Sequence, residues 1–167
     1  VDENNRIVYF MANAREKGEN PYYEHLYKVK LDGSGLTFLD EKNHTHRHYM
    51  SDSYRYFIDN YSRVNTIPVS EIRDINGNKV MHLETADLNN LFAAGYKLPE
   101  TFRAKAADGI TDIYGVIYKP FDFDSTKKYP VIEYVYPGPQ TEAVNTAFSD
   151  RMDRTDRLAQ LGFIVVT

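Results

Sequence analysis

An antiparallel β meander that passes into the opening steps of a mixed α/β domain is the fold this 167-residue sequence predicts. Three observations carry that expectation. The aromatic residues are 14 Tyr and 9 Phe with no Trp, and Tyr beside β-branched residues suits a half-buried pleated surface. Through the first half, short extended runs are separated by tight-turn sequences. Near the end, a helical stretch, one glycine and a β-branched apolar run follow one another, which is an α/β crossover step.

Residues 7–12 (IVYFMA) form a short apolar and aromatic run and read as a strand. A polar loop over 13–20 ends at Pro21. Residues 25–31 (HLYKVKL) alternate, with Leu26, Lys28 and Lys30 on one face and Tyr27, Val29 and Leu31 on the other; a period of two marks a half-buried strand. Asp32-Gly33-Ser34-Gly35 supplies a turn, because glycine accepts positive φ without strain. Residues 36–39 resume extended structure. Strands are expected at 48–50 and 54–61, on either side of Ser51-Asp52-Ser53, and at 70–75 and 79–83, on either side of Asn76-Gly77-Asn78. Asn-Gly between two such runs is a strong hairpin signal. A β-propeller blade is a meander of this kind.

The pattern changes at Asp87. Asp87 can cap a helix over 87–95, with Leu88, Leu91 and Phe92 on one face, Gly95 at its end and Pro99 forbidding continuation. That helix reads as a linker, with a boundary near Lys97. A hairpin follows, residues 101–107 and 111–118 flanking Asp108-Gly109. After a polar loop, residues 131–136 (VIEYVY) show little polar alternation and read as a strand covered on both faces. Ser149 or Asp150 can cap a helix through Leu161, and residues 163–167 (FIVVT) form a second buried strand. The sequence stops inside that run, so it is expected to be a piece of a longer protein.

Composition excludes several classes. Net charge is −4 and the 24 acidic residues are scattered, so no clustered positive face is available for nucleic acid. Without Cys there is no disulfide frame and no thiolate chemistry, an absence that fits cytosol and bacterial envelope equally. No apolar run approaches the roughly 18 residues of a membrane helix. Residues 1–6 lack the features of a signal peptide; in an exported parent, that segment has been removed upstream.

KKYPVIEYVYPGPQ, residues 127–140, is similar to the segment that opens the α/β-hydrolase domain in serine peptidases of the dipeptidyl peptidase IV type, of the prolyl oligopeptidase clan. The order of features matches as well: propeller-like text at His25-Leu26-Tyr27-Lys28, a short helix, a hairpin ending at Ile117-Tyr118-Lys119-Pro120, the strand, the Tyr-x-Gly-Pro turn, and a helix leading into LGFIVVT. The resemblance covers nearly the whole chain and is more specific in its second half. It implies that residues 1–97 are the C-terminal part of a β-propeller with its linker helix, and residues 98–167 the truncated start of an α/β-hydrolase domain. It implies a parent enzyme that releases N-terminal dipeptides with Pro or Ala second, by acyl transfer through a serine. In that family the serine sits in a G-x-S-x-G elbow, followed in chain order by Asp and His. This sequence has no G-x-S-x-G, and the family's paired Glu that hold the substrate amine come from an earlier propeller segment. The chain alone is therefore expected to be inactive.

One catalytic residue carries over by resemblance. Tyr136, in Tyr136-Pro137-Gly138-Pro139, matches the tyrosine whose hydroxyl helps form the oxyanion hole; Pro137 stands where family members often have Ala. The placement is chemically sensible, because sites in α/β sheets assemble at the carboxyl ends of strands and a phenol there can donate to a developing oxyanion. The resemblance further implies a peptide substrate, a homodimeric parent and a periplasmic, cell-envelope or secreted location. It calls for no cofactor. Open strand edges make self-association of the chain expected.

Other residues have plainer readings. His44, His46 and His48 alternate and, on one strand, would share a face able to bind Zn²⁺ or Cu²⁺. Thr45 and Arg47 point instead to a loop entering a strand, so these histidines are expected to be solvated or to cap the core, with no metal. Glu133 is a mid-strand carboxylate, either paired or near the site. Asp122, Asp124, Lys127 and Lys128 read as a solvated loop, and Ser62-Arg63 as an ordinary surface hydrogen-bonding pair rather than one that reaches substrate. Two other functions stay open: an oligopeptidase or acylaminoacyl peptidase of the same clan, and a non-enzymatic scaffold derived from a propeller.

Overall fold

The computed structural model describes residues 1–136 and 144–167. They fold as two compact units, one of residues 1–63 and 67–86, the other of residues 64–66 and 87–167.

The first unit is built from two antiparallel sheets. β1 (Ile7–Ala12), β2 (His25–Lys30) and β3 (Thr37–Phe38) lie in chain order, with β1 and β2 paired from Ile7↔Lys30 to Ala12↔His25. The turn after β2 forms as its residues dictate: Asp32 Oδ1 accepts the Ser34 N–H at 2.9 Å and Gly33 takes φ +83°. β4 (Thr45–Met50), β5 (Tyr56–Ser62), β6 (Val69–Asp74) and β7 (Lys79–Thr85) make a four-stranded meander. In its Asn-Gly hairpin, Asp74 Oδ1 accepts the N–H groups of Asn76 at 2.8 Å and Asn78 at 3.0 Å. Gly77 is required there twice over. Its φ is +87°, and a Cβ would stand 2.7 Å from the Leu39 carbonyl oxygen. Lys28 Nζ also donates to Ile75 O at 2.6 Å, tying the hairpin to the first sheet. Leu26, Leu39 and Phe57 form the apolar core, with Tyr9 and Met50 against it.

Three expectations for this unit need correction. The alternation expected along β2 is interrupted, since His25, Leu26 and Tyr27 are all buried. Leu26 enters the core, while Tyr27 on the opposite face is covered by Phe10, Phe38 and Arg15. β4 begins at Thr45, so Thr45 and Arg47 belong to the strand; pairing with β5 from Thr45↔Ser62 to Met50↔Phe57 extends it. β5 begins at Tyr56, because Tyr54 turns the chain with φ +52° and its N–H donates to Ser51 O.

The second unit carries a mixed sheet of order β10-β11-β9-β8, formed by β8 (Glu100–Lys105), β9 (Asp112–Tyr118), β10 (Val131–Glu133) and β11 (Ile164–Val166). β10 and β11 are parallel, joined by a connection containing helix α2 (Arg154–Gln160), and the other pairs are antiparallel. Val116, Tyr118, Ala159 and Val165 form its core, with Ile132, Leu158 and Phe163 packed against them. Helix α1 (Asn89–Ala93) is shorter than the span 87–95 and buries nothing. Asp87 does accept the Asn89 N–H at 2.9 Å, and Gly95 ends the turn with φ +94°. α2 starts at Arg154 rather than near Ser149, because Ser149 Oγ accepts the Arg151 N–H in a separate turn and Asp153 is extended. β10 ends at Glu133 instead of Tyr136 and is not covered on both faces. It is the edge strand of this sheet, with Val131 64 % exposed.

Candidate functional site

Tyr136, the residue singled out for catalysis, follows β10 by three positions and is 57 % exposed. The chain leading to it is anchored by the Tyr134 N–H, which donates to Val166 O at 2.8 Å, and by Arg154, whose guanidinium lies 5.5 Å from the centre of the Tyr134 ring. Pro137, Gly138 and Pro139 lie outside the described residues. Glu133 is exposed on β10. Asp124 serves its own loop, accepting from the Thr126 N–H and hydroxyl at 2.9 and 2.7 Å, with Lys127 beside it. Ser62 ends β5 as a buried residue rather than a surface one.

A second constellation stands inside the first unit. The register of its meander sets it up: His48 pairs with Asp59, Asp59 with Glu71, and Phe57 with Arg73. Side chains on one face of paired strands stand close together, so these registers make a polar row. His46 and His48, two apart on β4, share a face with their rings parallel and 5.7 Å apart. The neighbouring sheet and its loops add Glu19, His25 and Asp40. All of these side chains are buried, His46 fully, so of the two readings for His46 and His48, solvated or capping the core, the solvated one falls away. His44 stays outside the row, edge-on to His46 and Tyr61.

The buried charges answer one another. His25 Nδ1 lies 2.8 Å from Asp40 Oδ1 and its Nε2 lies 2.7 Å from Glu19 Oε1. Both ring nitrogens therefore face carboxylate oxygens, an arrangement that favours the doubly protonated ring. Burial alone would depress its pKa, but Asp40 and Glu19 outweigh that and raise it. His46 places Nδ1 2.8 Å from Asp59 Oδ1 and Nε2 2.8 Å from Glu41 O. His48 Nε2 faces Asp40 Oδ2 at 3.1 Å and Asp59 Oδ1 at 3.2 Å; burial disfavours its charge, yet the two carboxylates raise its pKa. Burial would likewise raise the Asp59 and Asp40 carboxyls, but hydrogen bonds from the histidines hold both below the usual carboxylate range. Arg73 completes the set, with Nε 3.0 Å from Asp59 Oδ2 and Nη2 3.1 Å from Glu71 Oε2. His25, His46, His48, Arg73 and Lys79 thus face Glu19, Asp40, Asp59 and Glu71.

Of this constellation, sequence reasoning singled out only His46 and His48. The available signal was phase: Asp59 falls two residues from Phe57 on β5, and Glu71 and Arg73 alternate with Ile72 on β6, so charge occupies the inward-facing register.

Comparison with known proteins gives the arrangement a context. Residues 1–68 match the family model described as the dipeptidyl peptidase IV N-terminal region. Over 178 residues the sequence is 33 % identical to human dipeptidyl peptidase 8, covering 99 % of this chain and 19 % of that protein. It is 34 % identical over 174 residues to the probable dipeptidyl-aminopeptidase B of Emericella nidulans, covering 100 % of this chain and 18 % of that one. The chain is a relative of the dipeptidyl peptidases. It spans about one fifth of the length of the curated relatives it matches. In this dipeptidyl peptidase relative, the part matched by the family model holds His25, Asp40, His46, His48 and Asp59, and the strand-rich meander fits propeller blades. No helix among the described residues is long and apolar enough to cross a membrane.

Proposed function

We propose that this chain is part of a serine dipeptidyl peptidase that removes dipeptides from peptide N-termini, and that it spans the passage from a propeller into the start of an α/β-hydrolase domain. The observation that carries this reading is the parallel β10–β11 pair joined through α2, with Tyr136 just past the carboxyl end of β10. In open α/β sheets that end is where ligands bind. The relatives named dipeptidyl peptidases, matched over nearly the whole chain, support the same reading. In it, the Tyr136 hydroxyl donates to the oxygen of the scissile carbonyl as negative charge develops there, together with a backbone N–H next to the serine. The chain holds no G-x-S-x-G, so the serine belongs to the rest of the parent, and the 167 residues alone should not label with a fluorophosphonate.

The test uses the full-length parent and a Gly-Pro or Ala-Pro chromogenic substrate. Tyr136→Phe keeps the ring and removes the donor. It should lower kcat by about 10²–10³, with KM within a few-fold, because the ground-state carbonyl carries little charge. An unchanged kcat removes Tyr136 from the site. Cleavage only within longer peptides or of acylated N-termini would move the parent to another specificity of the same clan.

A further inference from the structure

We propose that His46, His48, Asp40 and Asp59 form a four-ligand site for a divalent transition-metal ion, with Zn²⁺ the best fit, that joins the two sheets of the first unit. Their donor atoms alternate around a ring. His46 Nδ1 stands 2.8 Å from Asp59 Oδ1, which is 3.2 Å from His48 Nε2; that nitrogen is 3.1 Å from Asp40 Oδ2, which returns to His46 Nδ1 at 3.8 Å. Ligands bound to Zn²⁺ at about 2.0–2.2 Å in a tetrahedron stand about 3.3–3.6 Å apart; the four edges here run from 2.8 to 3.8 Å, and the donor atoms of His46, His48 and Asp59 all lie within 4.8 Å of one another. The His46–Asp59 edge would open by about 0.5 Å on binding.

One group points to an ion rather than to ion pairs alone. The His48 side chain is only 4 % exposed, and its Nε2 faces two carboxylate oxygens yet is aligned with neither as a hydrogen-bond donor. The far atoms of three ligands are hydrogen-bonded: Glu41 O accepts from His46 Nε2 at 2.8 Å, Met11 Sδ lies 3.2 Å from His48 Nδ1, and His25 Nδ1 lies 2.8 Å from Asp40 Oδ1; Asp59 Oδ2 faces Arg73 Nε at 3.0 Å as an ion pair without a hydrogen bond. Metal-binding imidazoles have their second nitrogen engaged in this way, which fixes ring orientation and tautomer. Asp40 Oδ2 also accepts the Leu26 N–H at 2.7 Å, which leaves it one lone pair for a metal.

Access agrees. A surface groove lined by Tyr9, Met11, Leu26, His46, His48 and Met50 gives a way in. Four protein ligands with no open position make a structural site rather than a catalytic one.

The full chain, stripped with EDTA, is titrated with Zn²⁺, and with Co²⁺ as a spectroscopic stand-in. One ion per chain should bind, Co²⁺ should give the visible absorption of a four-coordinate site, and the melting temperature should rise until EDTA is added. Ring ¹⁵N spectra of the unsubstituted chain should change at His46 and His48 while His44 and His82 stay put. His48→Gln should weaken Co²⁺ binding at least about 100-fold, and His82→Gln should leave it intact. A folded chain that takes up neither ion overturns the proposal, as does uptake that survives His48→Gln or spectral changes confined to His44 or His82. The ¹⁵N spectra need no substitution, so they decide the matter even where His48→Gln fails to fold.

Discussion

Arg73 faces three carboxylates of the first unit. Its Nε faces Asp59, its Nη2 faces both Glu71 and Glu41, and its Nη1 donates to Gly77 O at 3.2 Å. Replacing it with Met keeps most of the volume but takes one cation from Asp59, which keeps His46 and His48 beside it, and one from Glu71, which keeps Lys79 Nζ at 2.6 Å. Removing one partner of a buried ion pair typically costs about 3–5 kcal/mol. Arg73→Met should therefore lower the unfolding free energy of the first unit by up to that amount, read as a lower urea midpoint with little change in slope, and a loss under about 1 kcal/mol would mean the charges are solvated. The sequence makes the inward phase of Asp59, Glu71 and Arg73 readable once the strands are placed. It does not reveal that Asp40 and His25, from another sheet, answer the same charges, because that pairing depends on how two sheets meet rather than on any local spacing. The proposal for Tyr136 rests on its motif; nothing in its exposed position distinguishes it from other tyrosines.

At the scale of elements, β9 depends on having no side chain at one position. Gly115 pairs with Phe102 on β8 and lies between that ring and the Thr167 carbonyl oxygen, both of which a Cβ would strike. Gly115→Ala should destabilise the second unit by about 1–3 kcal/mol through overpacking, seen as a lower melting temperature; a neutral result would mean that β8 and β11 can separate freely around β9. The hairpins of both units were legible because their turn chemistry is local: Asp74 and Asp108 each bind the N–H groups of the residues that follow them. Element lengths were less so. The run of residues 131–136 is apolar enough for a long strand, yet among the described residues β10 pairs with β11 alone and stops at Glu133. Helix α1 stays at five residues because no apolar face of it is buried, and short helices need packing to persist.

For the molecule as a whole, the exposed edge matters most. Every residue of β7 is exposed, including Val80, Met81 and Leu83, and β7 is the last strand of its sheet. An uncovered apolar edge recruits other chains, so the isolated chain should associate with rising concentration in light scattering. Val80→Lys and Leu83→Lys together should restore a monomer, and a chain that is monomeric without them would show that β7 is already protected. The charge shared by the two sheets of the first unit has a consequence of its own. A propeller is a ring of repeated blades, and repeats invite shuffling, duplication and grafting. Here the exchange of either sheet for a generic one would deprive its neighbour of counter-ions, since Asp40 comes from one side and His46, His48 and Asp59 from the other. Residues 25–40 and 45–74 can therefore be transplanted into another scaffold only as a pair, and this stretch of the chain has given up the interchangeability that repetition offers.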